Sequence, residues 1–247
     1  MDSFNYGGVE ELLGVDWRQA WRERERVRRL PDNVKVWDER ADEFAMNAGA
    51  SAYAGSFLDY LGLEPGLSVL DMGCGGGTLA IPLARQGHEV LAADFSSGML
   101  NALQCAIQKE GLTGIRCVQL DFNAPWEQWE AAGLSEDCVD VALASRSTMV
   151  EDLGAALEKL ERTASQRVAV TMATEYSPKG MKHLGERIEG GPPFLPDFFF
   201  AVNILLQKGR YPVLKYIDSQ KPSKDGTVSL VRWAYVSWDV KDKKEES

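Results

Sequence analysis

The stretch VLDMGCGGGT, residues 69–78, decides the fold of this chain. An apolar run suited to a buried strand leads into four glycines within five positions, and a helical pattern, TLAIPLARQG, follows at once. Because glycine has no Cβ atom, the loop backbone can turn tightly and approach a ligand closely. The helix beyond the loop offers unpaired amide groups to polar or anionic groups. The stretch therefore predicts a strand, a loop that binds a nucleotide-bearing ligand, and a helix.

Outward from this loop, short apolar or β-branched runs alternate with helical stretches, which is typical of βαβ units and a parallel sheet. We predict five strands, SVLDM, EVLAAD, IRCVQLD, VDVALAS and RVAVTMAT, with helices starting near Thr78, Ser96, Pro125 and Glu151. Further along the chain we predict a buried apolar helix at about 198–207 and two more strands, YPVLKYI and TVSLVRWAYVSW. The predicted fold class is α/β, a doubly wound and mostly parallel sheet with helices on both faces.

The residues before the sheet predict an all-helical preface. Helices are expected in DWRQAWRERERVRRL, where Asp16 is placed as the N-cap, in VWDERADEFAMNA and in SAYAGSFLDYLGL. We therefore divide the chain into an N-terminal helical cap, residues 1–60, and a larger α/β domain, residues 61–247.

Composition restricts the function classes. A length of 247 residues suits a single catalytic unit, and the formal net charge of −10 disfavours nucleic acid and anionic membranes as partners. The chain starts without a basic segment followed by an apolar run, and nothing approaches the roughly 20 apolar residues that cross a bilayer, so we expect a cytoplasmic protein. The four cysteines lack Cys-x-x-Cys spacing, so we expect no metal site and free thiols that are mostly buried.

The glycine loop leaves two interpretations open. Gly73-x-Gly75 also begins a dinucleotide fingerprint, but the third glycine position of that fingerprint is Thr78 here. The loop resembles the first motif of the class I, Rossmann-like methyltransferases that depend on S-adenosylmethionine (SAM). That motif runs apolar-apolar-Asp-apolar-Gly-x-Gly-x-Gly, and the matching residues are Val69, Leu70, Asp71, Met72, Gly73, Gly75 and Gly77. Motifs support the resemblance over residues 61–174; beyond them topology alone implies sixth and seventh strands, with the last strand antiparallel.

The resemblance implies a place for each end of SAM, whose product is S-adenosylhomocysteine (SAH). The backbone at Gly73 and Gly75 would face the methionine end, with Asp71 near the amino group. We expect Cys74 and Thr78, in the same loop and at the start of the helix, to border the cofactor.

Two further strand ends supply the residues expected at the nucleoside. Asp94 ends the second strand about 20 residues beyond the loop, where an acid can accept both ribose hydroxyls. Phe95 and Met99 would pack on either side of the nucleoside, unless Met99 is only part of the core. After the third strand, the resemblance assigns the adenine edge to the Asp121 carboxylate and the Phe122 amide.

The acceptor end is less defined. The fourth strand ends in Ser145 and Arg146, which we assign to the cofactor rim and to catalysis, and not in the Asn-Pro-Pro-Tyr signature that the family uses for base or glutamine amines. The Arg146 guanidinium is expected to pair with a carboxylate of substrate or cofactor, or else with Glu151 or Asp152.

The candidate general bases follow the fifth strand. They are His183, whose imidazole titrates near neutrality, and Glu175 and Tyr176, with loop packing and capping as the alternative role of the last two. In the preface, Trp37 is expected to close over the cofactor together with Arg40, Phe44 and Tyr53, or else these side chains belong to the core.

We predict an enzyme that transfers a methyl group from SAM to a small molecule. The alternatives are an RNA methyltransferase, a SAM-binding protein without catalysis and a nicotinamide oxidoreductase. The RNA alternative depends on one helix rich in arginine, at positions Arg18, Arg22, Arg24, Arg26, Arg28 and Arg29, although Glu23 and Glu25 intersperse them. The sequence leaves the oligomeric state open, a homodimer included.

Overall fold

The computed structural model describes residues 14–28, 34–41, 51–174, 195–222 and 228–240. Within these ranges helices precede the first strand, strands and helices then alternate, and two strands end the order, as the sequence predicts. The helices are α1 (Trp17–Arg28), α2 (Val34–Asp38), α3 (Ala52–Leu61), α4 (Ala80–Arg85), α5 (Ser97–Glu110), α6 (Trp126–Ala131), α7 (Leu153–Thr163) and α8 (Asp197–Gln207). The strands are β1 (Ser68–Met72), β2 (Glu89–Asp94), β3 (Ile115–Gln119), β4 (Val139–Ser145), β5 (Ala164–Ala173), β6 (Val213–Pro222) and β7 (Val228–Asp239).

All seven strands form one sheet in the order β3-β2-β1-β4-β5-β7-β6. Strands β1 to β5 run parallel, and β7 is antiparallel to both β5 and β6. The predicted doubly wound sheet with an antiparallel last strand is confirmed. The chain order reverses between β1 and β4, and ligands of such sheets bind in the crevice beyond the carboxyl ends of the strands at that point.

The core lies on both faces of the sheet because successive side chains of a strand alternate between them. Leu70 and Met72 of β1 pack on the face covered by α7 and α8, whereas Val69 packs on the face covered by α3 and α4. The apolar helix α8 is buried along Phe200, Ala201, Ile204 and Leu205, as predicted.

The arginine-rich helix α1 is held tightly against α7 and α8. Its Asp16 cap accepts a hydrogen bond from the Gln19 amide at 2.8 Å, as expected. Trp21 is fully buried, and its Nε1 donates to the Val150 carbonyl at 2.9 Å. Arg24 lies 4.3 Å from the Trp21 ring centroid and pairs with Asp197 at 3.0 Å.

The structure corrects the expectation that the thiols are mostly buried. Cys105 and Cys138 are exposed, so the prediction of mostly buried thiols is wrong for them; Cys105 lies on the outer side of α5 and Cys138 in the turn before β4. Across the ranges that the structure describes, no helix is long and apolar enough to cross a membrane.

Candidate functional site

The glycine loop between β1 and α4 adopts a conformation that only glycine takes without strain. Gly73 and Gly77 have φ angles of +74° and +92°, in the left-handed region. A Cβ atom on Gly73 would lie 2.3 Å from the Cβ atom of Ser147, and one on Gly77 would lie 2.5 Å from Cδ1 of Leu103. The loop therefore packs against both the β4 end and α5, with no room for a side chain at either glycine.

Asp94, the last residue of β2, ties this loop to the next helix. It is buried, its Oδ2 accepts the Gly75 amide at 2.9 Å, and its Oδ1 accepts the Ser96 amide at 2.9 Å. One carboxylate thus holds the backbone after β1 and the backbone after β2 together. This is the place where the sequence predicted the acid that binds the ribose.

Asp71 lies one residue before the end of β1 and is almost completely buried, with 2% of its surface exposed. Burial raises its pKa to about 7, and the nearby Asp94 adds to the rise, while a hydrogen bond from the Ala80 amide and the charge of Arg146 act against it. Near neutral pH, Asp71 is therefore poised between its charged and neutral forms.

Two further residues of the predicted loop set, Cys74 and Thr78, differ in burial. The Cys74 side chain is buried, and its Sγ lies 3.5 Å from the Gly75 carbonyl oxygen. Burial, followed by the charges of Asp71 and Asp94, raises the pKa of the Cys74 thiol well above its ordinary value, so it stays neutral. Thr78 is half-buried in the turn that leads into α4.

An acid from the preface, which the sequence did not single out, caps α5. Asp38 Oδ1 accepts a hydrogen bond from Ser96 Oγ at 2.6 Å and one from the Gly98 amide at 2.9 Å. These bonds, Ser96 first, lower the pKa of Asp38. The approach requires glycine, because a Cβ atom on Gly98 would lie 2.9 Å from Asp38 Oδ1. Helix α2 is thereby fastened beside Asp94.

The remaining side chains predicted around the nucleoside, Met99, Phe95 and Trp37, differ in how far they are buried. Met99 is buried at the start of α5 and its amide donates to Ser96 Oγ at 3.1 Å, while Phe95 is half-buried. Trp37 is also half-buried, with the Arg40 guanidinium 5.1 Å from its ring centroid.

A groove of about 490 Å³ opens at the carboxyl end of β3. Its walls include Val34 of α2, Phe95, Leu120 and Asp121. Asp121 is exposed, and its Oδ1 accepts the Asn123 amide at 2.8 Å. The Phe122 ring points away from solvent into the core, 5.9 Å from the Trp129 ring, so only its backbone remains to meet a ligand.

At the end of β4 a hydroxyl network holds the predicted acceptor residues. Tyr53 of α3 is buried, and its hydroxyl lies 2.7 Å from Ser145 Oγ and 2.5 Å from Thr171 Oγ1. The Arg146 amide donates to the Thr171 carbonyl at 3.2 Å and to Thr171 Oγ1 at 3.1 Å. Thr171 of β5 and Tyr53 thus fix the backbone on which Arg146 sits.

Arg146 has a φ of +59°, a conformation that is rare outside glycine and that occurs often at functional sites. Its guanidinium lies 4.2 Å from the Tyr53 ring centroid and 5.8 Å from that of Trp233. Asp152, one of its two expected partners, is instead paired with Arg18 at 2.8 Å. The Arg146 side chain therefore faces Tyr53 and Trp233, which lie beside the ends of β4 and β5.

The structure brings most of the predicted set to one edge of the sheet. The residues that lie at, or shortly after, the carboxyl ends of the neighbouring strands β1, β2, β3 and β4 are Asp71, Gly73, Cys74, Gly75, Thr78, Asp94, Phe95, Met99, Asp121, Phe122, Ser145 and Arg146. The predicted bases Glu175, Tyr176 and His183 lie outside the described residues. The sequence missed Asp38, Thr171 and Trp233, because nothing in their own neighbourhoods marks them.

Three features of this edge of the sheet bear on what it could bind. At one end, the half-buried Phe95 and the exposed Asp121 border an open groove. At the other end, a buried carboxylate, Asp71, lies where a cationic amino group would stabilise its charged form. Between them the glycine loop leaves backbone without side chains.

Comparisons with known proteins agree with this geometry. A family model described as a methyltransferase domain matches residues 69–167. An uncharacterized protein of Haemophilus influenzae is 36% identical over 188 residues, which are 74% of this chain and 66% of that protein. A ubiquinone biosynthesis O-methyltransferase of Ruegeria pomeroyi is 45% identical over 62 residues, which are 24% of this chain and 25% of that protein. The match thus spans just under two thirds of the first relative and a quarter of the second.

Among solved structures, a SAM-dependent methyltransferase of Aquifex aeolicus superposes with a TM-score of 0.56 at 19% identity, covering 85% of this chain and 99% of that one. This likeness confirms the predicted fold. The matched family model supports methyl transfer as the chemistry of residues 69–167, the part of the chain that contains the glycine loop. Residues 69–167 thus match a methyltransferase domain, and the described part of the chain has the fold of the class I, Rossmann-like, SAM-dependent methyltransferases.

Proposed function

We propose that this chain is an enzyme that transfers a methyl group from SAM to a small-molecule acceptor. The observation that carries the proposal is the junction at Asp94, where one buried carboxylate joins the glycine loop to the start of α5. A carboxylate oxygen accepts more than one hydrogen bond, so the same side chain can receive ribose hydroxyls while it holds the loop.

We further propose a role for each residue of the crevice. Gly73, Gly75, Cys74 and Thr78 border the methionine end of the cofactor, with Asp71 near its amino group. Phe95 and Trp37 flank the nucleoside, and the buried Met99 packs behind it at the start of α5. Asp121 and the Phe122 backbone contact adenine. Ser145 borders the transferred methyl group.

SAM supplies a methyl group already made electrophilic by the sulfonium, so the residues of this chain chiefly position the acceptor and exclude water. Arg146 and Tyr53, held rigidly by Thr171, are proposed to orient the acceptor. An acceptor of low reactivity also needs a base, and we propose Glu175, Tyr176 or His183 for this step. Residues 1–60 serve as a cap and residues 61–247 as the catalytic domain.

The ion pairs of α1 support a small molecule over RNA. Arg18 and Arg22 both contact Asp152, and Arg24 contacts Asp197. Arginines engaged with acids of their own chain offer less charge to phosphates, on which RNA binding depends. The proposed acceptor is therefore a small molecule.

Calorimetry tests the cofactor site first. We expect SAM and SAH to bind with micromolar dissociation constants and NAD not to bind. Asp94→Asn is expected to weaken SAH binding at least tenfold, because an amide nitrogen replaces one acceptor. Asp59→Asn, an exposed acid of α3, is the matched control and should bind like the wild type.

Transfer of radiolabelled methyl groups then separates the functions. Label on metabolite extracts but not on total RNA is the expected result. Label on RNA alone would replace the proposal with an RNA methyltransferase, and tight SAM binding without label on either would replace it with a non-catalytic protein.

A further inference from the structure

Lys159 of α7 reaches beneath the segment that follows β3. Its Nζ donates a hydrogen bond to the Phe122 carbonyl and another to the Ala124 carbonyl, the second at 2.9 Å. The side chain is half-buried, and Nζ lies 5.1 Å from the Trp129 ring centroid. One ammonium group therefore binds two carbonyls of the same short segment from the side of the core.

Placing an ammonium group here has a cost that the carbonyls offset. Burial lowers the pKa of Lys159, while the charges of Asp121 and Asp152 act in the opposite direction. A buried charge is stable only when it is hydrogen-bonded or paired, and hydrogen bonds from a charged donor are stronger than neutral ones. The contact of Lys159 with this segment is thus a specific and strong one.

The segment is also held by bonds of its own. The Ala124 amide donates to the Asp121 carbonyl at 3.0 Å, which closes a turn. Asn123 Oδ1 accepts the Glu151 amide at 3.0 Å, which ties the turn to the entrance of α7. With the bonds from Lys159 added, the turn is held at two places by α7 and its entrance. Its first residue, Asp121, forms a wall of the groove at the end of β3.

We propose that Lys159 is a positioning residue for adenine recognition: it holds the turn of residues 121–124 in the shape that presents the Asp121 carboxylate and the Phe122 amide to the base. The inference rests on the proposed function, because it assigns the adenine of SAM to this groove. Lys159 itself does not touch the cofactor; it acts through the Phe122 and Ala124 carbonyls.

The consequence is a specificity that can be measured without knowing the acceptor. Adenine offers an amino group to a carboxylate and a ring nitrogen to an amide, whereas hypoxanthine reverses both. A correctly held turn therefore binds SAH more tightly than S-inosylhomocysteine, its deaminated analogue. A displaced turn loses this discrimination, since a reading group moved by about 1 Å no longer matches its partner.

Calorimetric titration of both ligands tests the proposal in the wild type and in four variants. Lys159→Met keeps the apolar stem and removes the donors; we expect SAH binding to weaken about tenfold to hundredfold, the range for loss of charge-assisted hydrogen bonds. The ratio of the two affinities should fall toward one. Lys159→Arg, which restores a charged donor, should keep the ratio of the wild type. Lys109→Met, at an exposed lysine of α5, removes the same charge and should change nothing.

Lys159→Gln, the fourth variant, guards against a failure of the methionine variant to fold, because its amide still donates to one carbonyl. Its ratio of SAH affinity to inosyl-analogue affinity should lie between the ratios of Lys159→Met and Lys159→Arg. A merely structural role would lower the unfolding temperature and leave the affinity ratio unchanged, and that result in a folded variant would overturn the inference. A wild type that binds SAH without preferring it to the inosyl analogue would also overturn it. Failure of the wild type to bind SAH at all would refute the proposed function instead.

Discussion

Replacement of the buried acid in β1, Asp71→Asn, is expected to stabilise the protein at alkaline pH while it weakens cofactor binding. Asp71 is almost fully buried, and its carboxylate must be charged above pH 7 next to Asp94. Asparagine has nearly the same shape and keeps an oxygen to accept the Ala80 amide. The variant therefore removes the cost of the charge and little else.

The magnitude follows from the pKa of Asp71, which burial and Asp94 raise from 3.8 to about 7. Between these values the folded protein holds a proton that the unfolded chain has lost, so the free energy of unfolding falls as pH rises. The fall stops once the folded form has also lost its proton, above pH 7. From pH 5.5 to pH 8.5 the contribution of Asp71 is thus a loss of about 2 kcal/mol, at 1.36 kcal/mol per pH unit over 1.5 units.

Urea denaturation at pH 5.5 and pH 8.5 measures this contribution. The difference in unfolding free energy between Asp71→Asn and the wild type should shift by about 2 kcal/mol in favour of the variant at the higher pH. Asp59→Asn, at an exposed position, is the control and should show no such shift. SAH affinity at pH 8 should fall in the Asp71 variant, because the charge near the amino group is lost.

The reasoning is refuted if the two stability curves stay parallel between these pH values, since Asp71 would then titrate alike in the folded and unfolded states. A variant that is more stable at pH 8.5 but binds SAH like the wild type would keep the electrostatic argument and remove Asp71 from the cofactor site.

Three further predictions concern close packing and a buried ion pair. Gly73→Ala should abolish SAH binding in calorimetry and lower the unfolding temperature, since its Cβ atom would lie 2.3 Å from the Cβ atom of Ser147. Adding Ser147→Gly to this variant should restore part of the stability. If the double variant is no more stable than Gly73→Ala, the cause is not steric. Gly98→Ala should push Asp38 off α5 and weaken SAH binding about tenfold, whereas unchanged affinity would show that α2 plays no part in binding. Arg24→Ala should cost about 3 kcal/mol in urea denaturation, because it leaves the largely buried Asp197 without this partner; a loss under 1 kcal/mol would place the pair among weak surface bridges.

The order of strands and helices could be predicted from the sequence because local patterns carry it. β1 is SVLDM and β2 is EVLAAD, residue for residue as the pattern predicts, since both are apolar runs bounded by glycine or charged residues. The glycine loop could be assigned because Gly73 and Gly77 meet a steric demand that no other residue satisfies. The predicted boundary of β3 is wrong at its end: the strand ends at Gln119, so Asp121 belongs to a turn and not to the strand.

The chemistry of the site depends on contacts between residues far apart in the chain, and only the tertiary structure decides these. Asp38 caps a helix at Gly98, 60 residues away, and the Tyr53 hydroxyl is hydrogen-bonded to Thr171, 118 residues away. Neither pair is indicated by the local sequence pattern around its residues. The sequence could locate Asp71 but not its pKa, which depends on burial and on a second carboxylate brought close by the pairing of β1 with β2. Lys159 reads in the sequence as one more charge on an amphipathic helix, and packing alone turns it inward to the Phe122 carbonyl. A pattern of residue types determines which elements form, because it acts over a few residues; electrostatics and close approach act through space, so they are determined only when the chain has folded.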